Sequence, residues 1–167
     1  MRIFLIGFMG CGKSSLGRRL AKKLDYPFLD IDNEVERISG ETITEIFSSQ
    51  GEVAFREKER EVLHSVTKLN DAVIASGGGT PCYEDNMDFM LENGVTVYLR
   101  MSPESLRHRL EYAKRRRPLV EKLKGGELLS FIKSKLAERE AYYMRSNCII
   151  KGESVRPDQV ISLVFGY

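Results

Sequence analysis

The chain has 167 residues, 42% of them hydrophobic and 30% charged, with a net charge of +2. This length holds one domain around one core, the composition is that of an ordinary globular protein, and near-neutrality argues against a general nucleic-acid binder. No apolar run approaches the roughly 18 residues of a membrane span, the N-terminal run passes straight into a glycine loop instead of a signal-peptide cleavage region, and Cys11, Cys82 and Cys148 are too few and too scattered for a disulfide framework or zinc site.

The first β-branched, apolar run covers residues 3–6. Gly7-Phe8-Met9-Gly10-Cys11-Gly12-Lys13-Ser14 follows it and satisfies the pattern G-x-x-x-x-G-K-[ST]. Leu16, Leu20 and Leu24 then lie four apart on one helical face. Further strand-like runs occupy residues 28–31, 72–75, 95–99 and 148–150. Between them, Ile43, Ile46 and Phe47 open a helix after the turn at Ser39-Gly40, and Ser102-Pro103-Glu104 supplies an N-cap, a first-turn proline and an acid suited to the helix dipole. Strands with nearly continuous apolarity, separated by helical crossovers, predict a parallel sheet buried on both faces in an α/β/α sandwich. Helical order weakens between residues 112 and 126, a basic, glycine-containing stretch with Lys114-Arg115-Arg116-Arg117-Pro118, which is expected to form a flap.

A glycine loop between a buried strand and an amphipathic helix is a phosphate cradle. Its curled backbone points successive N–H groups of Gly10, Cys11, Gly12, Lys13, Ser14 and Ser15 inward, and the helix N-terminus adds partial positive charge. Lys13 supplies a cation for the β- and γ-phosphates, and the Ser14 hydroxyl suits the Mg²⁺ that accompanies ATP. The pattern alone leaves the reaction open, since GTPases, ATPases and metabolite kinases share it.

The second strand-like run ends in Asp30-Ile31-Asp32, which places two carboxylates at alternate positions on one face of the strand, at the sheet edge where such folds bind ligands. Aspartates before a helix starting near Asn33 would also serve as caps. Ser76-Gly77-Gly78-Gly79-Thr80 follows the third strand and lets backbone approach a ligand. Phe55-Arg56-x-x-Glu59, Arg117-Pro118-Leu119 and Arg139 complete the series.

In order and spacing these motifs resemble the shikimate kinase family across nearly the whole chain. The resemblance implies an adenylate-kinase-like P-loop fold with a five-stranded parallel sheet, one kinase domain over residues 1–167, a lid near 112–126 and an acceptor-binding region near 32–60. It implies transfer of the γ-phosphoryl of Mg-ATP to the 3-hydroxyl of shikimate, in the biosynthesis of chorismate and aromatic amino acids. Asp32 would hold substrate hydroxyls and could take up the proton. Arg56 and Arg139 would grip the carboxylate with bidentate guanidinium donors, and Gly77, Gly78 and Gly79 would add backbone contacts. Arg117 would close over ATP with the lid, and Asp30 would reach Mg²⁺ through water. Arg109, with Arg107 as rival, would stack on adenine near Arg156-Pro157. The expected catalytic set is Lys13, Asp32 and Arg117, in a cytoplasmic monomer with no nucleic-acid or membrane partner. The chain departs from the fullest pattern at the third strand, which ends in Ala75-Ser76 and not in a metal-binding aspartate.

Blander readings accompany several of these residues. Arg56 lies in the charged series 56–61 and Arg139 in the series 135–140, both of which suit solvated helix faces. His64 and His108 are unaccompanied, and Tyr142-Tyr143-Met144 suits core packing. Rival functions are another small P-loop kinase, such as one for gluconate or nucleoside monophosphates, a nucleotide-dependent switch, and a kinase-like binding protein without catalysis.

Overall fold

Residues 1–114 and 118–167 are described by a computed structural model of the chain. Arg117, expected in the lid, lies outside the described residues. Five strands, β1 (Arg2–Ile6), β2 (Phe28–Asp30), β3 (Ala72–Ala75), β4 (Val95–Arg100) and β5 (Cys148–Lys151), pair in parallel in the order β2-β3-β1-β4-β5. Seven α-helices are described: α1 (Lys13–Leu24), α2 (Ile31–Ser39), α3 (Ile43–Ser65), α4 (Asn86–Asn93), α5 (Pro103–Glu111), α6 (Gly125–Tyr143) and α7 (Pro157–Phe165).

The two-residue period of a strand divides the core into two layers. Ile3 and Leu5 of β1, Val73 of β3, and Val97 and Leu99 of β4 pack with Leu16 and Leu20 of α1, Leu106 of α5, Ile132 of α6 and Val160 of α7. On the other face, Phe4, Ile6, Ile74 and Tyr98 pack with Val35 of α2, Ile46, Phe55 and Leu63 of α3, Met90 of α4 and Tyr143 of α6. The predicted sandwich is therefore present, with each central strand buried on both faces.

Local caps set the helix starts that matter to the site. The side chain of Thr42 accepts from Glu45 N while Glu45 accepts from Thr42 N, a capping box that opens α3. Ser102 accepts from Ser105 N at the start of α5, as its sequence implied. Within α3, Gly51 sits at φ 87° and kinks the helix, and Phe55, Arg56 and Glu59 lie on its second half.

The expected strand at residues 28–31 is shorter than its sequence suggested. β2 stops at Asp30, whose Oδ1 accepts from Asn33 N at 3.3 Å, so Asp30 caps a helix that begins at Ile31. Asp32 accordingly lies in the first turn of α2 and not at an alternate strand position beside Asp30. Both carboxylates nevertheless stay at the C-terminal edge of the sheet, because a helical turn directly above a strand end does not carry them away.

Candidate active site

β1 lies between β3 and β4, where the strand order reverses, and a crevice opens there above the strand ends. The glycine loop fills its floor. Gly10 and Gly12 have φ of 81° and 95°, left-handed values that residues with a Cβ rarely adopt, and Lys13 begins α1 directly after them. Lys13 Nζ donates to the carbonyls of Gly7 (2.7 Å) and Phe8 (3.0 Å), so the cation rests against the loop.

A cavity of about 160 Å³ stands over this loop, lined by Gly10, Gly12, Lys13, Ser14 and Ser15, by Asp30 and Asp32, by Ser76 to Gly78, and by Arg109. The Ser14 hydroxyl donates to the Asp30 carboxylate, which sets two hard oxygen ligands side by side, the donor type that Mg²⁺ takes. Ser76, where a metal-binding acid might have stood, instead donates its hydroxyl to Leu5 O at 3.1 Å and fastens β3 to β1. Arg109 Nε donates to Gly10 O at 2.8 Å. Its rival Arg107 lines neither this cavity nor the next, and its buried Nε has no hydrogen-bond partner among the described residues. Arg156 lies apart from both, in a groove between β5 and α7, with its N–H donating to Gln159 Oε1.

A second cavity, about 260 Å³, adjoins the first and shares Asp32, Gly77 and Gly78 with it. One wall is apolar, made by Ile43, Phe47 and Phe55, with the two phenyl rings 5.1 Å apart. Arg56 and Arg139 also line the cavity, with the Arg56 guanidinium over the Phe55 ring, 5.2 Å from its centroid. Although both come from charged sequence series, their side chains are inside: Arg56 is 11% exposed and Arg139 6%. The surface reading fails for both. Arg139 stands 5.4 Å from the Phe8 ring, and its buried Nη1 has no hydrogen-bond partner among the described residues. A guanidinium facing a cavity with a donor to spare is ready for an anionic ligand.

Arg56 is held by Glu59, whose Oε1 accepts from Arg56 Nη1 at 2.9 Å, and more loosely by Glu52 at 3.4 Å. Burial alone works against the Arg56 charge, but Glu59 and Glu52 outweigh it and raise its pKa. For Glu59, wholly inaccessible to solvent, burial raises the pKa, Arg56 opposes this and Asp32 adds to it; the outcome is a raised value. Gly77 is the point where these groups meet. A Cβ there would fall 2.6 Å from Glu59 Oε2, 2.9 Å from Thr80 Oγ1 and 3.0 Å from Asp32 Oδ1. At Gly79 a Cβ would fall 2.4 Å from Arg56 Nη2. The glycine run therefore brings backbone close to the Asp32, Glu59 and Arg56 side chains; its composition had suggested close approach to a ligand.

Pro118 and Leu119 of the expected lid stretch line the second cavity, while Val120 packs against the core with Leu123. Gly125 N donates to Glu111 Oε1 at 2.9 Å and ties the two ends of the stretch together.

Sequence reasoning missed Glu36, Thr42, Ile43 and Phe47, which line the second cavity, and gave no role to Glu59. Glu59 alone had a visible signal, its i+3 spacing from Arg56.

A family model described as shikimate kinase matches residues 9–165. A shikimate kinase of Bacteroides fragilis is 45% identical over 149 residues, covering 89% of this chain and 83% of the relative. The crystal structure of a shikimate kinase from Bacteroides thetaiotaomicron superposes with a TM-score of 0.93 at 37% identity, covering 100% of this chain and 99% of that one. A shikimate kinase from Acinetobacter baumannii, solved in complex with shikimate, gives a TM-score of 0.90 at 33% identity and covers 99% and 93%.

Proposed function

Because the chain belongs to the shikimate kinase family, whose reaction joins two substrates, we propose that its two adjoining cavities divide the work between phosphate donor and acceptor. The protein phosphorylates shikimate at the expense of ATP, with Mg²⁺. The single observation that carries the division is the shared wall: Asp32, Gly77 and Gly78 border both cavities, so a hydroxyl held at Asp32 lies where the end of a nucleotide triphosphate would reach.

In this reading the glycine loop, Lys13, Ser14 and Ser15 hold the phosphates, Arg109 lies over the loop toward the base, and Arg156, which stands outside both cavities, would meet only the far end of the nucleotide from the β5–α7 side. Ser14 and Asp30 would hold Mg²⁺, which when bound would neutralise charge on the phosphates. Arg56 and Arg139 receive the carboxylate of shikimate, Gly77, Gly78 and Gly79 approach it with backbone, and the Phe47–Phe55 wall covers the face of its ring. An apolar wall suits a carbocycle better than the open polyol chain of gluconate.

Asp32 turns the 3-hydroxyl toward the γ-phosphorus. The hydroxyl oxygen bonds to phosphorus as the bond to the bridging oxygen of ADP breaks, and the hydroxyl proton passes to the Asp32 carboxylate. Phosphoryl transfer depends mostly on alignment and charge stabilisation, so Asp32 acts first as an orienter. Lys13 must leave the Gly7 and Phe8 carbonyls to follow the γ-phosphoryl, and Arg117 joins it as the lid over residues 112–126 closes and excludes water. Every residue invoked comes from one chain, so a monomer suffices, and the cytoplasm supplies its ATP. Among the described residues no helix is long and apolar enough to cross a membrane.

The test is ADP release with Mg-ATP and, in turn, shikimate, quinate, gluconate, nucleoside monophosphates or no acceptor. Turnover that depends on shikimate is expected, with phosphate at the 3-position by phosphorus NMR. Preference for another acceptor would overturn the pocket allocation.

A further inference from the structure

Tyr143 ends α6 one helical turn after Arg139, so both project from the same face of the helix. Its ring is fully buried and packs on Tyr98 with centroids 5.1 Å apart. Packing alone would be satisfied by phenylalanine. The hydroxyl, however, donates to the carbonyl of Gly78 at 2.5 Å, across 65 residues of sequence. Gly78 is one of the three residues that border both cavities, and a Cβ on it would meet Arg139 Nη1 at 3.2 Å and Met9 N at 3.0 Å. The helix that carries Arg139 is thus fastened, one turn later, to the loop against which Arg139 works.

The direction of that bond has a chemical consequence. A trans peptide points its C=O and the following N–H to opposite sides. With Gly78 O drawn toward Tyr143 inside the protein, the peptide cannot turn that oxygen toward the cavity, and Gly79 N–H is presented on the opposite side. Three successive glycines have little intrinsic preference for either orientation. Without an anchor, a rotated peptide would place a carbonyl dipole beside an anionic acceptor and Asp32. Burial raises the Tyr143 pKa strongly, with Arg139 opposing it, so the phenol stays protonated and remains a donor.

We infer that Tyr143 is a positioning residue for the acceptor: its hydroxyl fixes the Gly78–Gly79 peptide with donors toward the cavity and sets that loop at its working distance from Arg139. Tyr143 touches neither substrate. The inference rests on the acceptor-pocket reading above, and it concerns shikimate without touching the nucleotide.

Tyr143→Phe keeps the ring and removes the one hydroxyl. Tyr98→Phe is the matched control, because the Tyr98 hydroxyl is also in the interior but donates to Glu140 Oε2 and to no atom of the glycine loop. Shikimate-dependent turnover by the unaltered protein tests the pocket reading separately. Given that turnover, Tyr143→Phe should raise KM for shikimate, and its Kd by calorimetric titration, about tenfold, the scale of one lost buried hydrogen bond. KM for ATP should stay within about twofold, and Tyr98→Phe should leave the shikimate constants unchanged. Hydrogen exchange at the Gly79 amide should quicken in Tyr143→Phe and not in Tyr98→Phe. An unchanged shikimate Kd in Tyr143→Phe, an equal rise for ATP, or an equal effect of Tyr98→Phe would overturn the inference.

Discussion

Arg56→Ala separates the two tasks assigned to Arg56, binding a ligand and neutralising a buried acid. Removing it strands Glu59, which is 0% exposed and has lost its 2.9 Å partner, and loss of one member of a buried pair costs about 3–5 kcal/mol. Glu59 already has a raised pKa and takes up a proton when its counter-charge goes, which holds the cost near the lower end. The Glu52 contact is half exposed and adds little. About 3 kcal/mol in a chain of this length lowers Tm by about 6–12 °C. Separately, loss of a charged contact to a carboxylate of about 1.5–3 kcal/mol raises KM for shikimate about ten- to a hundredfold, with KM for ATP nearly constant. Calorimetric melting and two-substrate kinetics measure these effects. The decisive variant is Arg56→Ala combined with Glu59→Gln, which removes the stranded acid: it should recover most of the lost stability and none of the shikimate affinity. Recovery of both, or of neither, would refute the division of labour.

Gly77→Ala would drive a methyl against Glu59 Oε2, Thr80 Oγ1 and Asp32 Oδ1. Overpacking of this kind costs about 1–3 kcal/mol, so kcat/KM for shikimate should fall about five- to a hundredfold while nucleotide binding, followed by fluorescent ADP displacement, persists. Lys13→Ala should depress kcat by about a thousandfold or more, alike with any acceptor the protein accepts; a change confined to shikimate KM would count against its place at the γ-phosphoryl. Burial pushes the Cys82 thiol up to about 11, with Arg139 and Arg56 pulling the other way, so about one molecule in a thousand is thiolate at pH 8. Cys82 should therefore be alkylated far more slowly than free cysteine, and rapid labelling by mass spectrometry would contradict the packing around Gly79. The His64 pKa is lowered by burial and then by Arg60, with Asp85 opposing, while its ring stacks 4.0 Å from Phe89. The fold therefore favours neutral His64: this contribution is present above the unfolded pKa of about 6.5 and is lost as pH falls through the lower folded value. His64→Gln should flatten the fall in Tm between pH 7 and pH 5, and an unaltered slope would remove His64 from the explanation.

The parts of this site that were legible in the sequence are those fixed by a few neighbouring residues. The glycine loop is one, because strand, left-handed glycines and helix N-terminus follow within a dozen positions. Asp32 was legible as a carboxylate at the sheet edge, where it borders both cavities, but was placed on the wrong element, since apolar alternation through residues 28–32 suits a strand while the Asp30 side chain, by capping Asn33 N, starts the helix early. Choosing between Arg107 and Arg109 required the phase of α5. Two residues along a helix are about 200° apart, and only the packing of Leu106 and Leu110 toward the core and the Gly10 loop turns Arg109 over the phosphate cavity.

The acceptor pocket was least legible because its walls meet only after α2 and α3 fold over the sheet edge. Glu59 sits in a series that has the composition of a solvated helix face, and the kink at Gly51 together with the glycine loop converts one of its acids into a wholly buried one. Tyr143 illustrates the same limit from the other side. Of Tyr142-Tyr143-Met144, read as core packing, only Tyr143 is buried while Tyr142 and Met144 are exposed, and the burial of its ring also keeps its hydroxyl protonated and aims it at Gly78 O. Core packing and substrate positioning are then one interaction, so a substitution that preserves the packing, Tyr143→Phe, is the one that exposes the positioning.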